Sequence, residues 1–437
     1  MRNKLFAVLL GLGLASASPA YAVTEIQLWH AFTSTNNDQI NLIAKEFNES
    51  QSEYKVVPVF KGGYADTMSA GIAAYRAHNA PDILQVFEVG TATMMAAKGA
   101  ILPVYKLMQE TGNRLDMSAF LPAVASYYSD QQGRPISMPF NSSTPVFYYN
   151  KEAFKKAGID PNNPPKTWDD VAIDAAKIKG TGAATCAFTT AWDVWIQLET
   201  MSAWDNVQFA TLDNGFGGLG AKLTFNNPTM VNHVALLGQM AKDGRFTYAG
   251  RTTEPEATFY SGNCAMLTTS SAAYGIIKAH AKFDFGVSEL PYDAEAPGAP
   301  QNTIIGGASL WVFSGKSKEK YQGIAKFFQF LSSPKIQARW HQVTGYVPIT
   351  KAGYELTKQE GYYEKNPGTD IAVKELLLKN PTKMSKGVRL GYMPQIRNVI
   401  DEELEAVWTG KKSAKAALDE AVQRGDALLR KFQRENR

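Results

Sequence analysis

Apolar and polar positions change period in a regular alternation along the first hundred residues. Residues 24–29 (TEIQLW) read as a strand. Residues 34–49 then set Ile40, Ile43, Ala44 and Phe47 at helical spacing. A second strand is predicted over 54–60, a turn at Lys61-Gly62-Gly63-Tyr64, and a helix over 65–76. Residues 81–87 (PDILQVF) form the third strand, almost wholly apolar in its second half. That is the pattern of a strand covered on both faces. A helix follows over 91–98. Strand and helix alternate, which predicts an α/β fold with a parallel, doubly wound sheet. Ligands of such sheets sit beyond the carboxyl ends of the strands. That rule singles out His30, Tyr64 and Glu88. Glu88 stands between Phe87 and Val89, where an apolar residue would serve for packing. It reads either as an acceptor for ligand or as a carboxylate at the start of the next helix.

The pattern breaks at residues 138–151. Asn141, Ser142, Ser143 and Thr144 set four small hydrogen-bonding side chains in a row before the apolar strand 145–149. Such residues close turns through their own side chains. The stretch reads as a polar turn at the first crossing between two lobes, with binding groups at the crossing, or as an ordinary loop entering an edge strand. Beyond it lie a short helix (151–158), the Pro-rich run 160–165, a helix over 168–179 and a strand over 184–189. Trp192 and Trp195 follow, three apart and on one face if helical. They suit stacking on the C–H face of a polyol or sugar, or a place in the core. A strand over 262–269 ends at Ser270-Ser271, and a helix is predicted over 272–282. Ser270 is therefore a strand-end residue and an N-cap. Residues 302–313 form the second crossing, where Gly306-Gly307 interrupts an apolar strand. Glycine there marks close approach of a ligand or another backbone, or a bulge. Helices over 318–331 and from Pro334 to 342 and the turn 344–348 return to the first lobe. The tail carries helices over 393–409 and 413–433. Arg397, in the first turn of the former, opposes the helix dipole, a mismatch that a bound anion would resolve. This organisation gives a first lobe of 23–143 with about 308–350, and a second of 144–307 with about 351–437.

The address comes from the first 22 residues. Arg2 and Lys4 precede a short apolar run and an Ala20-Tyr21-Ala22 cleavage site, the plan of a secretory leader. The mature chain is expected to start near Val23, in the periplasm. Loss of the leader lowers the formal charge from +4 to +2. No block of Lys or Arg is long enough to argue for nucleic acid. At 437 residues the chain is long for one domain and comfortable for two.

Cys186 and Cys264 sit in strand-like runs. In an exported chain they permit one disulfide, the alternative being two buried thiols. Gly215-Phe216-Gly217-Gly218-Leu219-Gly220 matches a dinucleotide fingerprint in letters only, because no strand precedes it and no helix follows. The five histidines are scattered, and no G-x-S-x-G or H-E-x-x-H is present. No catalytic residue, metal ligand or cofactor is expected.

Several runs carry a more specific signal. Gly62-Gly63-Tyr64, 84–95 (LQVFEVGTATMM), 139–151, 192–198, 262–266, 304–312, 344–350 and 389–404 together resemble the periplasmic sn-glycerol-3-phosphate-binding proteins of ABC transporters. The resemblance extends over essentially the whole mature chain. It implies a two-lobed, maltose-binding-type fold with ligand in the cleft. It implies Tyr64, Glu88, Ser143, Ser270, Gly307, Tyr346 and Arg397 as ligand contacts, with Trp192 and Trp195 as walls. It implies a monomer that serves membrane permease subunits and their cytoplasmic ATPase. Chemistry then assigns phosphate to Arg397 and the hydroxyls of Ser143, Tyr346 and Tyr64, and glycerol hydroxyls to Glu88. Ser270 and the Gly307 backbone suit either end. The run 31–37 (AFTSTNN) departs from the acidic, Gly-containing turn of the family and leaves any contact there in doubt. A neutral-sugar binder on the same fold and a periplasmic glycerophosphodiester hydrolase are the alternatives.

Overall fold

The computed structural model describes residues 22–437, so the leader, but for Ala22, lies outside the described residues. Among the described residues, ten strands form two sheets. They are β1 (Thr24–His30), β2 (Tyr54–Phe60), β3 (Ile83–Phe87), β4 (Ile101–Leu102), β5 (Met138–Ser143), β6 (Pro145–Asn150), β7 (Cys186–Thr190), β8 (Cys264–Ser270), β9 (Phe285–Ser288) and β10 (Gly306–Phe313). The first sheet runs β2-β1-β3-β10-β4, with β5 also paired to β10; the second runs β7-β8-β6-β9.

The wholly parallel sheet expected from the alternation is corrected to a mixed one. β1 pairs in parallel with β2 and β3, each reached through a helix. β10 instead arrives from the second sheet and runs antiparallel to β3, β4 and β5. In the second sheet only β7 and β8 are parallel.

The polar run is also not a turn. Asn141, Ser142 and Ser143 belong to β5, and Ser142 and Ser143 stand opposite Gly307 and Gly306 of β10. Their small side chains are buried, where strand pairing satisfies the backbone that a turn would leave to side chains. Thr144 alone joins β5 to β6, so the chain passes from one sheet to the other with no loop between.

That passage fixes where strand ends meet. β5 ends at Ser143 and β6 begins at Pro145, opposite Ser270 at the end of β8. β10 starts at Gly306 beside Ser143, and its Ala308 faces Phe87 at the end of β3. Ser271 N donates to Thr144 O at 2.8 Å, and Val347 N donates to Ser142 O at 2.7 Å, drawing the turn 344–348 to the same place. The ends of β3, β5 and β8 and the start of β10 thus converge on one point between the sheets.

Other elements follow local chemistry. Helix Trp168–Thr181 opens on a Thr167–Asp170 capping box and closes on Gly182 in the left-handed conformation. Ser413 caps helix Ala414–Glu435. The helix predicted over 272–282 divides into a tight turn at Ser271–Ala273 and a helix at Tyr274–His280. Cys186 and Cys264 are register partners on β7 and β8 and form a disulfide.

Candidate functional site

A cavity of about 180 Å³ lies at the convergence of the strand ends, and Tyr64, Glu88, Ser143, Trp192, Trp195, Ser270, Gly307, Tyr346 and Arg397 all line it. Residues scattered over more than 330 positions meet there because they stand at strand ends, crossings, helix starts and the short connections beside them.

The charged centre is a triad. Glu88 follows β3 directly, and Arg397 stands in the first turns of helix Met393–Trp408. Arg397 Nη2 donates to Glu88 Oε1 at 2.6 Å. Arg397 also forks onto Glu199, through Nε at 2.7 Å and Nη2 at 2.9 Å. The mismatch between Arg397 and its helix dipole is therefore resolved by two carboxylates of the protein itself, a correction to the expectation that a bound anion resolves it. Burial alone would push the guanidinium down, but Glu199 and Glu88 outweigh it and hold Arg397 above its ordinary value. Burial pushes Glu88 up and Glu199 adds to that, while Arg397 opposes both. Arg397 Nη1 has no hydrogen-bond partner among the described residues, and Glu88 Oε2 is free of the ion pair. The pair can therefore donate to an anion with one atom and accept from a hydroxyl with another.

A row of neutral groups faces the triad. Gln85 Nε2 donates to Asn141 Oδ1 at 2.9 Å, and Asn141 Nδ2 donates to the Tyr64 hydroxyl at 2.8 Å. Tyr64 and Tyr346 hydroxyls lie 3.3 Å apart. Tyr64 stacks on Phe87 and Tyr346 on Trp340. Burial first, then Tyr346, raises the Tyr64 phenol well above its ordinary value, so it stays a neutral donor. The buried Ser143 hydroxyl makes no hydrogen bond among the described residues. Ser270 Oγ accepts from Ala272 N at 3.1 Å, the predicted cap, and keeps its own proton to donate.

The tryptophans do not share a helical face. Trp192 has φ of 50°, a left-handed conformation costly for an aromatic residue, and precedes the helical segment Trp195–Thr200. The two rings form separate walls. The buried Trp195 indole N–H has no partner among the described residues, and its ring lies 2.3 Å from where a Cβ of Gly306 would stand. Gly307, at φ of +90°, has no room for a Cβ because Asn141 O lies 1.9 Å from that position. The close approach at this glycine pair is therefore an indole and a backbone carbonyl of the protein.

His30 does not reach the cavity. It is buried, its Nδ1 accepts from Phe32 N at 3.2 Å, and burial pushes it down to about 4. Thr33, Ser34, Thr35 and Asn36 do line the cavity, despite the departure of this turn from the acidic pattern. Sequence reasoning missed Glu199, Thr253 and Glu256. Glu199 is an acid in an otherwise uncharged run (WIQLET), the one signal that marked it; Glu256, beside Glu254 in a surface-like acidic stretch, carried none.

The family model for bacterial extracellular solute-binding proteins matches residues 43–368. The chain belongs to the bacterial extracellular solute-binding proteins. This solute-binding protein is 54% identical over 431 residues to the sn-glycerol-3-phosphate-binding periplasmic protein UgpB of Yersinia pseudotuberculosis serotype I (strain IP32953), with 98% of each chain covered. It is 55% identical over 426 residues to the protein of the same name from Escherichia coli O1:K1 / APEC, with 97% of each covered. Two solved structures share its fold. UgpB from Mycobacterium tuberculosis in complex with glycerophosphocholine superposes with a TM-score of 0.76 at 21% identity, covering 94% of this chain and 99% of that one. The cyclic alpha-maltosyl-1,6-maltose binding protein of Arthrobacter globiformis gives 0.74 at 22% identity, covering 94% and 100%. The fold of this solute-binding protein is thus the two-lobed, maltose-binding type.

Proposed function

We propose that this solute-binding protein captures sn-glycerol-3-phosphate, or a diester of it such as glycerophosphocholine, in the periplasm and delivers it to an ABC importer. The observation that carries the reading is the Glu88–Arg397 pair on the wall of a hydroxyl-lined cavity, with Glu199 holding Arg397 from behind it. A glycerol phosphate presents an anion at one end and hydroxyl donors at the other. Arg397 Nη1 and the hydroxyls of Ser143, Tyr346 and Tyr64 suit the first, and Glu88 Oε2 suits the second. Ser270 and the Gly307 N–H serve either end. Trp192 and Trp195 close the sides. The relatives bearing the sn-glycerol-3-phosphate name, at more than half identity over nearly the whole chain, support the same assignment.

In this reading the lobes comprise 23–143 with about 308–350 and 144–307 with about 351–437, and they close about Thr144 and the start of β10. Ligand that touches both lobes favours the closed state by its differential affinity. Permease subunits with their ATPase then recognise the closed, monomeric form, after export has removed the leader near Ala22. The role is binding, with no bond in the ligand made or broken. Calorimetric titration of the mature protein with sn-glycerol-3-phosphate, glycerophosphocholine and maltose tests it. Binding of either phosphate compound is expected; binding of maltose alone would replace this reading by the neutral-sugar one.

A further inference from the structure

One acid on the cavity wall has no role in that account. Glu256 stands in helix Glu254–Tyr260, is 7% exposed, and lines the cavity. Its Oε1 accepts from Thr269 Oγ1 at 2.8 Å, and Thr269, on β8, is its only side-chain hydrogen-bond partner among the described residues. None of the Lys, Arg or His side chains among the described residues forms an ion pair with it. The titratable groups that feel it are Glu254 on its own helix, Tyr148 on β6 and Tyr346 in the turn 344–348, none of them a cation.

Ionised, Glu256 would be a buried charge without a counter-ion, which costs several kcal/mol. It would also repel the ligand. Glu88, Glu199 and Arg397 already sum to one negative charge beside the cavity. Two like charges 4 Å apart repel by about 4 kcal/mol at an effective dielectric constant near 20. A neutral acid reverses both effects, because burial keeps the proton on and the O–H then points a donor at the anion.

We infer that Glu256 contacts the ligand as a neutral carboxylic acid whose O–H donates to an anionic oxygen of the bound phosphate compound. This rests on the phosphate-ligand reading above and adds a proton to it. Burial pushes Glu256 up to about 7 in the unliganded protein. Binding above that pH therefore draws one proton from solvent, and affinity falls as pH rises.

Glycerophosphocholine is the probe, because a phosphodiester does not titrate between pH 5.5 and 9. Calorimetry across that range, in buffers of different ionisation enthalpy, reads affinity and proton uptake together. The wild-type Kd is expected to stay flat below about pH 6.5 and to rise towards tenfold per pH unit above about pH 7.5, with close to one proton taken up per ligand at pH 8.5. Glu256→Gln keeps a donor that cannot titrate. It is expected to bind within a few-fold of the acidic wild type at every pH, with no proton uptake. A flat wild-type profile, a Gln variant with the wild-type pH dependence, or a Gln variant that loses binding a hundredfold at every pH would each overturn the inference. If the variant does not fold, wild-type proton uptake decides alone. Failure of the folded wild type to bind either phosphate compound at any pH would remove the phosphate-ligand reading itself, whereas pH-independent binding removes only the role of Glu256.

Discussion

Glu88 and Arg397 lie 309 residues apart in the chain and meet at 2.6 Å across the cavity. Glu88 directly follows β3 of the first sheet; Arg397 stands in the first turns of a helix whose Ile400 and Leu404 share a core with Phe188 of the second. With Glu199 they make a triad of one cation and two anions, all largely buried, with side-chain exposures of 12%, 7% and 1% for Arg397, Glu88 and Glu199. Such a triad is costly to desolvate and is weak evidence for stability. Under the proposed function its place beside the cavity gives it a use: the guanidinium is oriented before ligand arrives.

Removing that guanidinium separates the two roles. Arg397→Ala leaves two buried carboxylates without a cation, so stability is expected to drop by about 3 kcal/mol. Affinity for the phosphate ligand is expected to drop at least a hundredfold. Adding Glu88→Gln and Glu199→Gln to Arg397→Ala removes the uncompensated charge. Thermal unfolding should then recover most of the lost stability, while calorimetry should still find weak binding. Recovery of binding in the triple variant would show that Arg397 acts only through structure.

Helices and strands were legible wherever periodicity was strong. The helix over 34–49 and the strands over 54–60 and 145–149 are set by core-facing side chains alone. The sense of the sheets was not legible, because β10 takes its direction from a crossing some 220 residues after β3. The polar run 141–143 was misread for a related reason. Asn and Ser signal turns by their own chemistry, yet here strand pairing with Gly306, Gly307 and Ala308 buries them. Cavity-lining residues at strand ends, Glu88 and Ser270 among them, were legible because topology places such clefts there. Arg397 was flagged by a conflict with its helix dipole. Its second carboxylate partner, Glu199, was not, since nothing local ties it to a residue 198 positions away.

The glycine pair at the start of β10 yields a second expectation. An alanine at Gly307 would hold a positive φ and place its Cβ 1.9 Å from Asn141 O. The left-handed conformation costs about 1–2 kcal/mol, and β5 would have to move away. Gly307→Ala is expected to lose at least about 3 kcal/mol of stability and, through the displacement of Ser143, more than tenfold in affinity. Gly306→Ala meets a side chain, the Trp195 ring, in place of backbone. It is expected to lose affinity with a smaller change in the melting temperature. Equal destabilisation by the two would contradict this distinction.

Asp205 gives a prediction for pH. It is buried, its Oδ1 accepts from Asp293 N at 3.1 Å, its Oδ2 has no partner, and burial pushes it up to about 8. Unfolded, the same carboxyl has a pKa near 3.9. Between those values the native state holds a proton that the unfolded chain has released. The stabilisation is therefore complete below about pH 4 and is lost as pH rises through 8. His30, His233 and His341, pushed down to about 4, 3 and 4 by burial, act oppositely: they cost stability as pH falls below about 6.5. The window from pH 6.5 to 8 lies above the histidines, and within it the other buried carboxyls that burial pushes up, Glu256, Asp193 and Glu375, act in the same direction as Asp205. Asp205 should cost about 2 kcal/mol across it, and Asp205→Asn should lower the slope by that share relative to wild type in denaturant titrations. An unchanged slope would mean that Asp205 is ionised in the native state.

The disulfide separates stability from binding. Cys186 and Cys264 close a span of 78 residues, and Cys264 begins the strand that Ser270 ends. Chain-entropy arguments give such a loop about 4 kcal/mol of stabilisation through the unfolded state. The bond lies about 20 Å along β8 from Ser270, at 3.3 Å per residue. Ser270 is held by its own cap to Ala272 and, through Pro145, by pairing with β6, neither of which involves the cysteines. Replacing both with serine is therefore expected to lower the urea midpoint substantially and leave the Kd for the phosphate ligand within twofold, measured where the variant is fully folded. A large change in Kd with an unchanged midpoint would show that the bond tensions β8 and sets the position of Ser270, in place of stabilising the lobe as a whole.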